Sequence, residues 1–169
     1  RLFPDMTALE NVMIGCHCRA RAGILGAILR GPKTRREEQG IVDRSFAILE
    51  RIGLARYADE FAKNLPYGGQ RRLEIARAIA TEPCLLLLDE PAAGMNPQET
   101  NELDYLIKEI RDEFHLAILL IEHDMRLVMS LSDHIVVMDN GKKIAEGTPA
   151  QIRTNPAVIE AYLGESADA

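Results

Sequence analysis

The sequence predicts an α/β fold with parallel strands, because two apolar runs are separated by a helix long enough to serve as a crossover. Residues 85–88 are four consecutive leucines, which is typical of a strand buried on both faces. Residues 117–121 form a second apolar run. Between them, residues 96–114 predict a helix that begins with a capping box of Asn96 and Glu99. Parallel neighbours require such a crossover, so we expect both runs in one sheet.

Upstream of these strands the pattern is helical. Helices are predicted over residues 7–16, 34–52 and 57–63. The first two are expected to begin with capping boxes, Thr7 with Glu10 and Thr34 with Glu37.

Downstream of the strands, the turn sequence at residues 139–141 predicts a β-hairpin. Two capped helices are expected after it, beginning near Thr148 and Asn155. The predicted organisation is a helical subdomain over residues 1–64, a sheet-bearing segment over 65–147, and C-terminal helices with a tail over 148–169.

Composition excludes several classes of protein. The 169 residues are 47% hydrophobic and 27% charged, which is typical of about one globular domain. The net charge of −6 argues against nonspecific binding of nucleic acid. No apolar run approaches the roughly 18 residues of a membrane span. The chain also opens without a secretory signal.

The three cysteines, an odd number, favour a reducing compartment over a disulfide framework. Cys16 and Cys18 flank His17, but this spacing lacks the second ligand pair of a zinc site. Cys84 directly precedes the leucine run and is expected to be a small buried hydrophobic residue.

Two acids, Asp89 and Glu90, follow the leucine run, and His123 follows the second apolar run. Ligands of open α/β sheets bind beyond the carboxyl ends of the strands, so all three are expected on one edge. There one acid can hold Mg²⁺ while its neighbour orients an attacking water. The alternative is structural: the acids cap the helix that begins near Pro97, and His123 makes a hydrogen bond within the fold.

A glycine pair occurs before a stretch of good helix formers, within Leu65-Pro66-Tyr67-Gly68-Gly69-Gln70. Glycines at a helix start let backbone N–H groups approach a phosphate, and the helix dipole favours its negative charge. An ordinary turn is the alternative. The acid pair lies 89 − 70 = 19 residues after Gln70, and His123 lies 123 − 89 = 34 residues after Asp89.

These ordered motifs resemble the ATP-binding subunits of ABC transporters, over nearly the whole chain. The segment Pro66-Tyr67-Gly68-Gly69-Gln70 resembles the signature motif of that family, and residues 85–89 resemble its Walker B strand. Glu90 occupies the position of the catalytic glutamate and His123 that of the switch histidine. The D-loop position is held by Ala93, Gly94, Met95 and Asn96. Four stretches are similar in sequence to subunits that energise branched-chain amino acid uptake: residues 65–77, 89–97, 121–125 and 161–165.

The resemblance implies a fold, a reaction and partners. The fold would be the C-terminal part of a phosphate-loop ATPase (RecA-like) core, with parallel strands, a helical subdomain and a C-terminal hairpin and helices. The cofactors would be ATP and Mg²⁺, with Asp89 holding Mg²⁺ through water and the signature and D-loop residues binding nucleotide. Two subunits, identical or different, would sandwich two ATP molecules. The other partners would be membrane permease subunits and, indirectly, a periplasmic or extracellular substrate-binding protein, but no nucleic acid.

By the same resemblance, the subunit would be peripheral, on the cytoplasmic face of the inner membrane. Residues 2–11 would be the first candidate for contact with the permease. The basic and apolar segment at residues 19–36 is interpreted either as a solvated loop or as a contact with the permease or anionic lipid.

Two departures from the family pattern affect this interpretation. Tyr67 stands where most members carry a serine, and a phenol reaches a different point. The sequence also contains no Gly-x-x-x-x-Gly-Lys-Ser/Thr phosphate loop. The similar run over residues 26–34 contains an inserted proline, Pro32, and no strand precedes it. The phosphate loop and the Q-loop are therefore expected upstream of Arg1, and the chain alone is expected to be inactive. Without the strands upstream, apolar faces of the strands at residues 85–88 and 117–121 are expected to be uncovered.

Two rival functions stay open on the sequence. One is an ABC-type ATPase not linked to transport, which would share Asp89, Glu90 and His123. The other is a non-enzymatic regulatory module without a phosphate loop. The transported amino acid is not readable from these residues.

Overall fold

A computed structural model describes residues 1–17 and 31–164 of the chain. Residues 18–30 and 165–169 lie outside the described residues. The first range contains Cys18 and most of the basic and apolar segment. The chain separates into two compact units, Arg1–Leu119 and Leu120–Ala169. The predicted boundaries at residues 64 and 147 stay a prediction.

The first unit consists of helices around an apolar core, with a strand that leads to the candidate site. Its elements are α1 (Ala8–His17), α2 (Pro32–Arg51), α3 (Tyr67–Ile79), β1 (Leu85–Asp89), α4 (Pro97–Phe114) and the start of β2 (Ala117–Ile121). Core residues from all four helices are fully or almost fully buried: Val12, Leu49, Leu73, Leu103 and Ile110. Burial of each such side chain stabilises the fold by about 1.5–3 kcal/mol.

Of the three capping boxes predicted in the first unit, two are confirmed. The Thr7/Glu10 box is confirmed, with the Thr7 N–H donating to Glu10 Oε2 at 2.8 Å and the Glu10 N–H donating to Thr7 Oγ1 at 3.1 Å. The Asn96/Glu99 box is confirmed as well. The Thr34/Glu37 prediction is wrong, because α2 begins two residues earlier, at Pro32, with Gly31 as its cap. Proline with its fixed φ is itself a good first helical residue.

The helix predicted over residues 57–63 is also wrong. Two short 3₁₀ turns, Ala55–Tyr57 and Ala62–Asn64, stand there instead. The carbonyls of Ala58 and Glu60 accept hydrogen bonds at 2.9 Å from the backbone at the start of α1. Because these acceptors are used between segments, they are not available for a local α-helical ladder.

The predicted strands pair, and the α/β fold with a parallel sheet is confirmed. The Ala117 N–H donates to the Cys84 carbonyl at 3.1 Å, directly before both strands. The leucine run is not buried on both faces in this chain, and the expected uncovered apolar face is present: Leu86 and Leu88 are buried, but Leu85 and Leu87 are 48% and 65% exposed. None of the described elements covers that face. Cys84 is exposed, contrary to its predicted burial, since it lies before the strand enters the core.

The second unit contains the end of β2 and a small core of its own. Its elements are α5 (Met125–Leu131), β3 (Ile135–Asp139), β4 (Lys142–Gly147), α6 (Pro149–Arg153) and α7 (Pro156–Gly164). The predicted hairpin is confirmed as the antiparallel β3–β4 pair, and Asn140 and Gly141 both have positive φ at its turn. The core contains Ile135, Val137, Ala145, Ile152 and Val158.

Both predicted C-terminal helices are present. The Thr148 N–H donates to Gln151 Oε1 at 2.9 Å at the start of α6, and Asn155 Oδ1 accepts from the Ala157 N–H at 3.0 Å at the start of α7. Among the described residues, no helix is both long and apolar enough to cross a bilayer.

Candidate functional site

The glycine pair lies in the first turn of α3, which begins at Tyr67, right after Pro66. Gly68 is buried, and a Cβ placed on it would approach Glu99 Oε1 to 3.1 Å. A Cβ on Gly69 would lie 3.4 Å from the Leu65 side chain. Gly68 therefore packs tightly against Glu99, whereas a side chain at residue 69 would make an ordinary contact with Leu65. Gln70 Nε2 donates to the Leu65 carbonyl at 2.9 Å, which fixes the chain as it enters the helix.

Tyr67 reaches from α3 to the segment that follows β1. Its hydroxyl donates to the Ala93 carbonyl at 2.8 Å. A Cβ on Gly94 would lie 3.4 Å from Tyr67 Cε1, so the ring lies directly over this glycine. The signature segment and the D-loop segment are therefore in contact within one chain.

Arg71 holds the same phenol from the other side. Its Nε and Nη2 donate to Tyr67 Oη at 3.1 and 2.8 Å, and its guanidinium carbon lies 5.2 Å from the ring centroid. Arg71 Nη1 also pairs with Glu74 Oε2 at 2.8 Å. The Glu74 carboxylate, and after it the Tyr67 hydroxyl, raise the pKa of the Arg71 guanidinium above its ordinary value. The arginine is thus a permanent cation at this position.

Glu74 and Gln70 also line a cleft of about 350 Å³. The other residues around it are Leu2, Pro4, Ala62 and Lys63. One helix, α3, therefore presents side chains both to this cleft and to the D-loop segment.

The acids at the end of β1 are both exposed. Glu90 has a left-handed backbone, with φ 45°, and begins the β1–α4 loop, residues 90–96. Within this loop the Ala93 N–H donates to the Glu90 carbonyl at 3.1 Å and the Met95 N–H to the Ala92 carbonyl at 3.0 Å. Gly94 also has positive φ, at 77°.

The structural alternative for the acid pair is wrong, because Asn96 caps α4. Its Oδ1 accepts from the N–H groups of Gln98 and Glu99, both at 3.0 Å. Asp89 and Glu90 lie at the strand end, and both residues are exposed. An exposed carboxylate at such a position fits Mg²⁺, which is usually bound through one or two carboxylates together with waters and substrate phosphates.

At the end of β2 the side chains differ sharply in exposure. The Glu122 side chain is 1% exposed and the His123 side chain 72% exposed. The His123 N–H donates to Glu122 Oε2 at 3.2 Å, and His123 Nδ1 lies 3.8 Å from the same oxygen. Asp124 caps α5 by accepting from the Arg126 N–H at 2.9 Å. His123 therefore leaves the strand as an imidazole open to solvent.

The structure brings together some of the predicted site residues. Tyr67 meets Ala93 and Gly94, and Gly68 lies against Glu99 in the first turn of α4. Asp89 and Glu90 belong to the first unit and His123 to the second. In the described part of the chain, no three His, Cys, Asp or Glu side chains form a group that could hold a metal by themselves.

Sequence reasoning missed Arg71 and Glu74. Their spacing from Tyr67 carried the signal, because residues three and four positions apart share one face of a helix. The helix was expected to start only near Gln70, whereas it begins at Tyr67, so this contact between Tyr67 and Arg71 was not predicted.

Two protein-family models match the chain. The model described as "ABC transporter" matches residues 1–93. The model described as "Branched-chain amino acid ATP-binding cassette transporter" matches residues 142–168. The matched stretches include the signature segment, the acid pair and the second hairpin strand.

Individual proteins are similar over almost the whole chain. The high-affinity branched-chain amino acid transport ATP-binding protein LivG of Escherichia coli strain K12 is 53% identical over 166 residues, or 98% of this chain and 65% of LivG. BraF of Pseudomonas aeruginosa, with the same description, is 50% identical over equal shares. The chain thus spans about two thirds (65%) of the length of these relatives.

Among solved structures, the ADP conformation of MJ1267, an ATP-binding cassette of an ABC transporter, superposes with a TM-score of 0.75. The sequences are 33% identical, and the match covers 95% of this chain and 64% of MJ1267.

Proposed function

The chain belongs to the ABC transporter family, and from that premise we propose that it is part of a subunit that hydrolyses ATP to drive a membrane permease. The observation that carries this proposal is the contact between the signature segment and the β1–α4 loop, through Tyr67 and Ala93, directly after an exposed acid pair. A glycine-bearing helix start and a strand end with two carboxylates are the parts that phosphoryl transfer to water requires.

In this proposal each residue has a defined role. The backbone N–H groups of Gly68 and Gly69 face the phosphates of ATP, with Pro66 and Gln70 shaping the turn. Glu90 accepts a proton from the attacking water and orients it. His123 donates to the γ-phosphate as charge develops. Asp89 would hold Mg²⁺ through water, and when bound this ion would neutralise charge on the β- and γ-phosphates.

The remaining nucleotide contacts belong to the D-loop residues Ala93, Gly94, Met95 and Asn96. In the dimer that we propose, the signature segment of one subunit faces the nucleotide held by its partner. Both active sites are then composite, and hydrolysis opens the dimer. The exposed position of these segments supports such an arrangement, since Tyr67 is 45% exposed.

We propose branched-chain amino acids as the transported class. Support comes from the C-terminal match and from the names of the relatives. The permease would dock near residues 2–11, next to the cleft that contains Glu74. The subunit would then be peripheral, on the cytoplasmic face of the membrane, and a substrate-binding protein outside it would deliver the amino acid.

The test uses the full-length protein together with its permease subunits in liposomes. We expect MgATP hydrolysis that increases when binding protein loaded with leucine or isoleucine is added, and that does not increase with lysine. Hydrolysis that needs no permease and responds to nucleic acid would instead support an ATPase outside transport. A complete lack of nucleotide turnover would contradict the proposal and favour a regulatory module.

A further inference from the structure

We propose that Tyr67 is a positioning residue that ties the β1–α4 loop to the signature helix, and that its hydroxyl does not bind phosphate. This inference rests on the proposed function, because the loop matters for turnover only if it belongs to an ATPase site. It assigns the residue that departs from the family pattern a contact within its own chain.

The hydrogen bonds of the phenol leave no donor for a phosphate. A tyrosine hydroxyl has one proton to donate. That proton goes to the Ala93 carbonyl at 2.8 Å. The oxygen accepts two N–H groups from Arg71, at 3.1 and 2.8 Å. A phosphate oxygen needs a donor, and Tyr67 has none left without releasing Ala93.

The Tyr67 ring also packs against the β1–α4 loop. The Tyr67 ring lies over Gly94, where a Cβ would be only 3.4 Å from Cε1. Gly94 has φ 77°, a conformation that glycine adopts without strain. A Cβ at this distance would make an ordinary van der Waals contact, so the phenol packs directly on the backbone of the residue that follows Ala93. A serine at residue 67 is too short to span this distance.

Arg71 holds the phenol in place. The guanidinium contacts both the hydroxyl and the ring face, and Glu74 fixes its other end at 2.8 Å. An arginine that is itself paired keeps a planar fork with little remaining rotamer freedom. Tyr67 is therefore held from α3 in the orientation that meets Ala93.

The β1–α4 loop that Tyr67 holds also contains Glu90, the proposed catalytic residue. Glu90 begins the loop, and its carbonyl accepts the Ala93 N–H at 3.1 Å. Ala93 thus uses its carbonyl toward Tyr67 and its N–H toward Glu90. Release of the carbonyl loosens the turn that sets the backbone of Glu90, so Tyr67 acts on the reaction through the loop.

The experiment compares Tyr67→Phe and Tyr67→Ser in the full-length protein, with Tyr105→Phe as the matched control. Tyr105 lies on α4 and is 68% exposed. Amide hydrogen exchange of the peptide covering residues 90–96 is measured without nucleotide. Loss of the one hydrogen bond between the Tyr67 hydroxyl and the loop predicts an increase in exchange rate of about threefold to tenfold in both Tyr67 variants, and none in the control.

Steady-state kinetics provide the second readout. We expect kcat of Tyr67→Phe to fall by about threefold to tenfold, because the hydrogen bond that holds the loop is lost, with KM for ATP unchanged. Tyr67→Ser should show the same fall, because a serine hydroxyl cannot reach the Ala93 carbonyl.

Three results would overturn the proposal. One is unchanged exchange at residues 90–96. The second is a weaker nucleotide affinity with kcat preserved in Tyr67→Phe, which would make the hydroxyl a phosphate ligand. The third is wild-type turnover in Tyr67→Ser. If the wild-type protein itself failed to hydrolyse ATP, the proposed function would fail, while the exchange measurement would still decide whether Tyr67 holds the loop.

Discussion

The two units of the molecule hold their candidate residues in different ways. In the first unit, the loop after β1 is fixed by a side chain from a distant helix, through the Tyr67 hydroxyl and the Ala93 carbonyl. In the second unit, the segment after β2 is fixed locally, since Asp124 caps the helix that begins right after it. The difference indicates that changes to α3 reach the acid pair through the loop, whereas His123 depends on its immediate neighbours.

The largest expected effect comes from Glu90, the proposed catalytic residue of the first unit. In the full-length protein, Glu90→Gln should leave ATP binding intact and slow hydrolysis by about a hundredfold or more, because the variant cannot accept a proton from water. Single-turnover hydrolysis and nucleotide binding would be measured in parallel. Glu109→Gln, an exposed acid on α4, serves as the control and should keep normal turnover. Near-normal turnover of Glu90→Gln would remove this residue from the reaction.

A smaller effect tests the local support in the second unit. Asp124→Ala removes the side-chain oxygen that accepts the Arg126 N–H, and loss of such a cap costs about 1 kcal/mol. Denaturant unfolding of the full-length protein would show it as a lower midpoint. Asp133→Ala, at an exposed aspartate of the same unit, should leave the midpoint unchanged. If both variants behaved alike, the cap would not be what holds this segment.

The smallest effect is a pH dependence in the hairpin. Hydrogen bonds from Lys143 and, next, His134 lower the pKa of Glu146 below its ordinary value near 4.5. A lowered pKa means that this carboxylate stabilises the folded state above pH 4.5, and that the stabilisation is lost as the pH falls through the folded pKa. Glu146→Gln should therefore be less stable than wild type near neutral pH and equal to it in stronger acid. A difference that grew with acidity would have the wrong sign.

Local signals predicted the elements that local contacts hold. The capping boxes at Thr7, Asn96 and Thr148 and the hairpin turn at Asn140 involve residues at most a few positions apart, so a sequence pattern contains both partners. The helix prediction at residues 57–63 failed because carbonyls of this segment bond to the start of α1, about fifty residues away. No local pattern records that pairing.

The same difference between local and long-range contacts applies to the candidate site. The order of signature segment, acid pair, loop and histidine was predictable, because each is a short motif at a strand end or helix start. The contact of Tyr67 with Ala93 joins residues 26 positions apart and depends on how α3 lies on the β1–α4 loop. Exposure of Leu85 and Leu87 could be predicted only from the family resemblance, since four leucines show how apolar a strand is and not which layers cover it.

The left-handed backbone of Glu90 has a consequence for engineering. A residue with a Cβ costs about 1–2 kcal/mol in this conformation, whereas glycine adopts it freely. Selection for heat resistance alone would therefore favour glycine at this position and discard the carboxylate. A screen for more thermostable variants therefore has to measure turnover as well as melting temperature, because stability favours glycine at residue 90 and the proposed hydrolysis requires glutamate there.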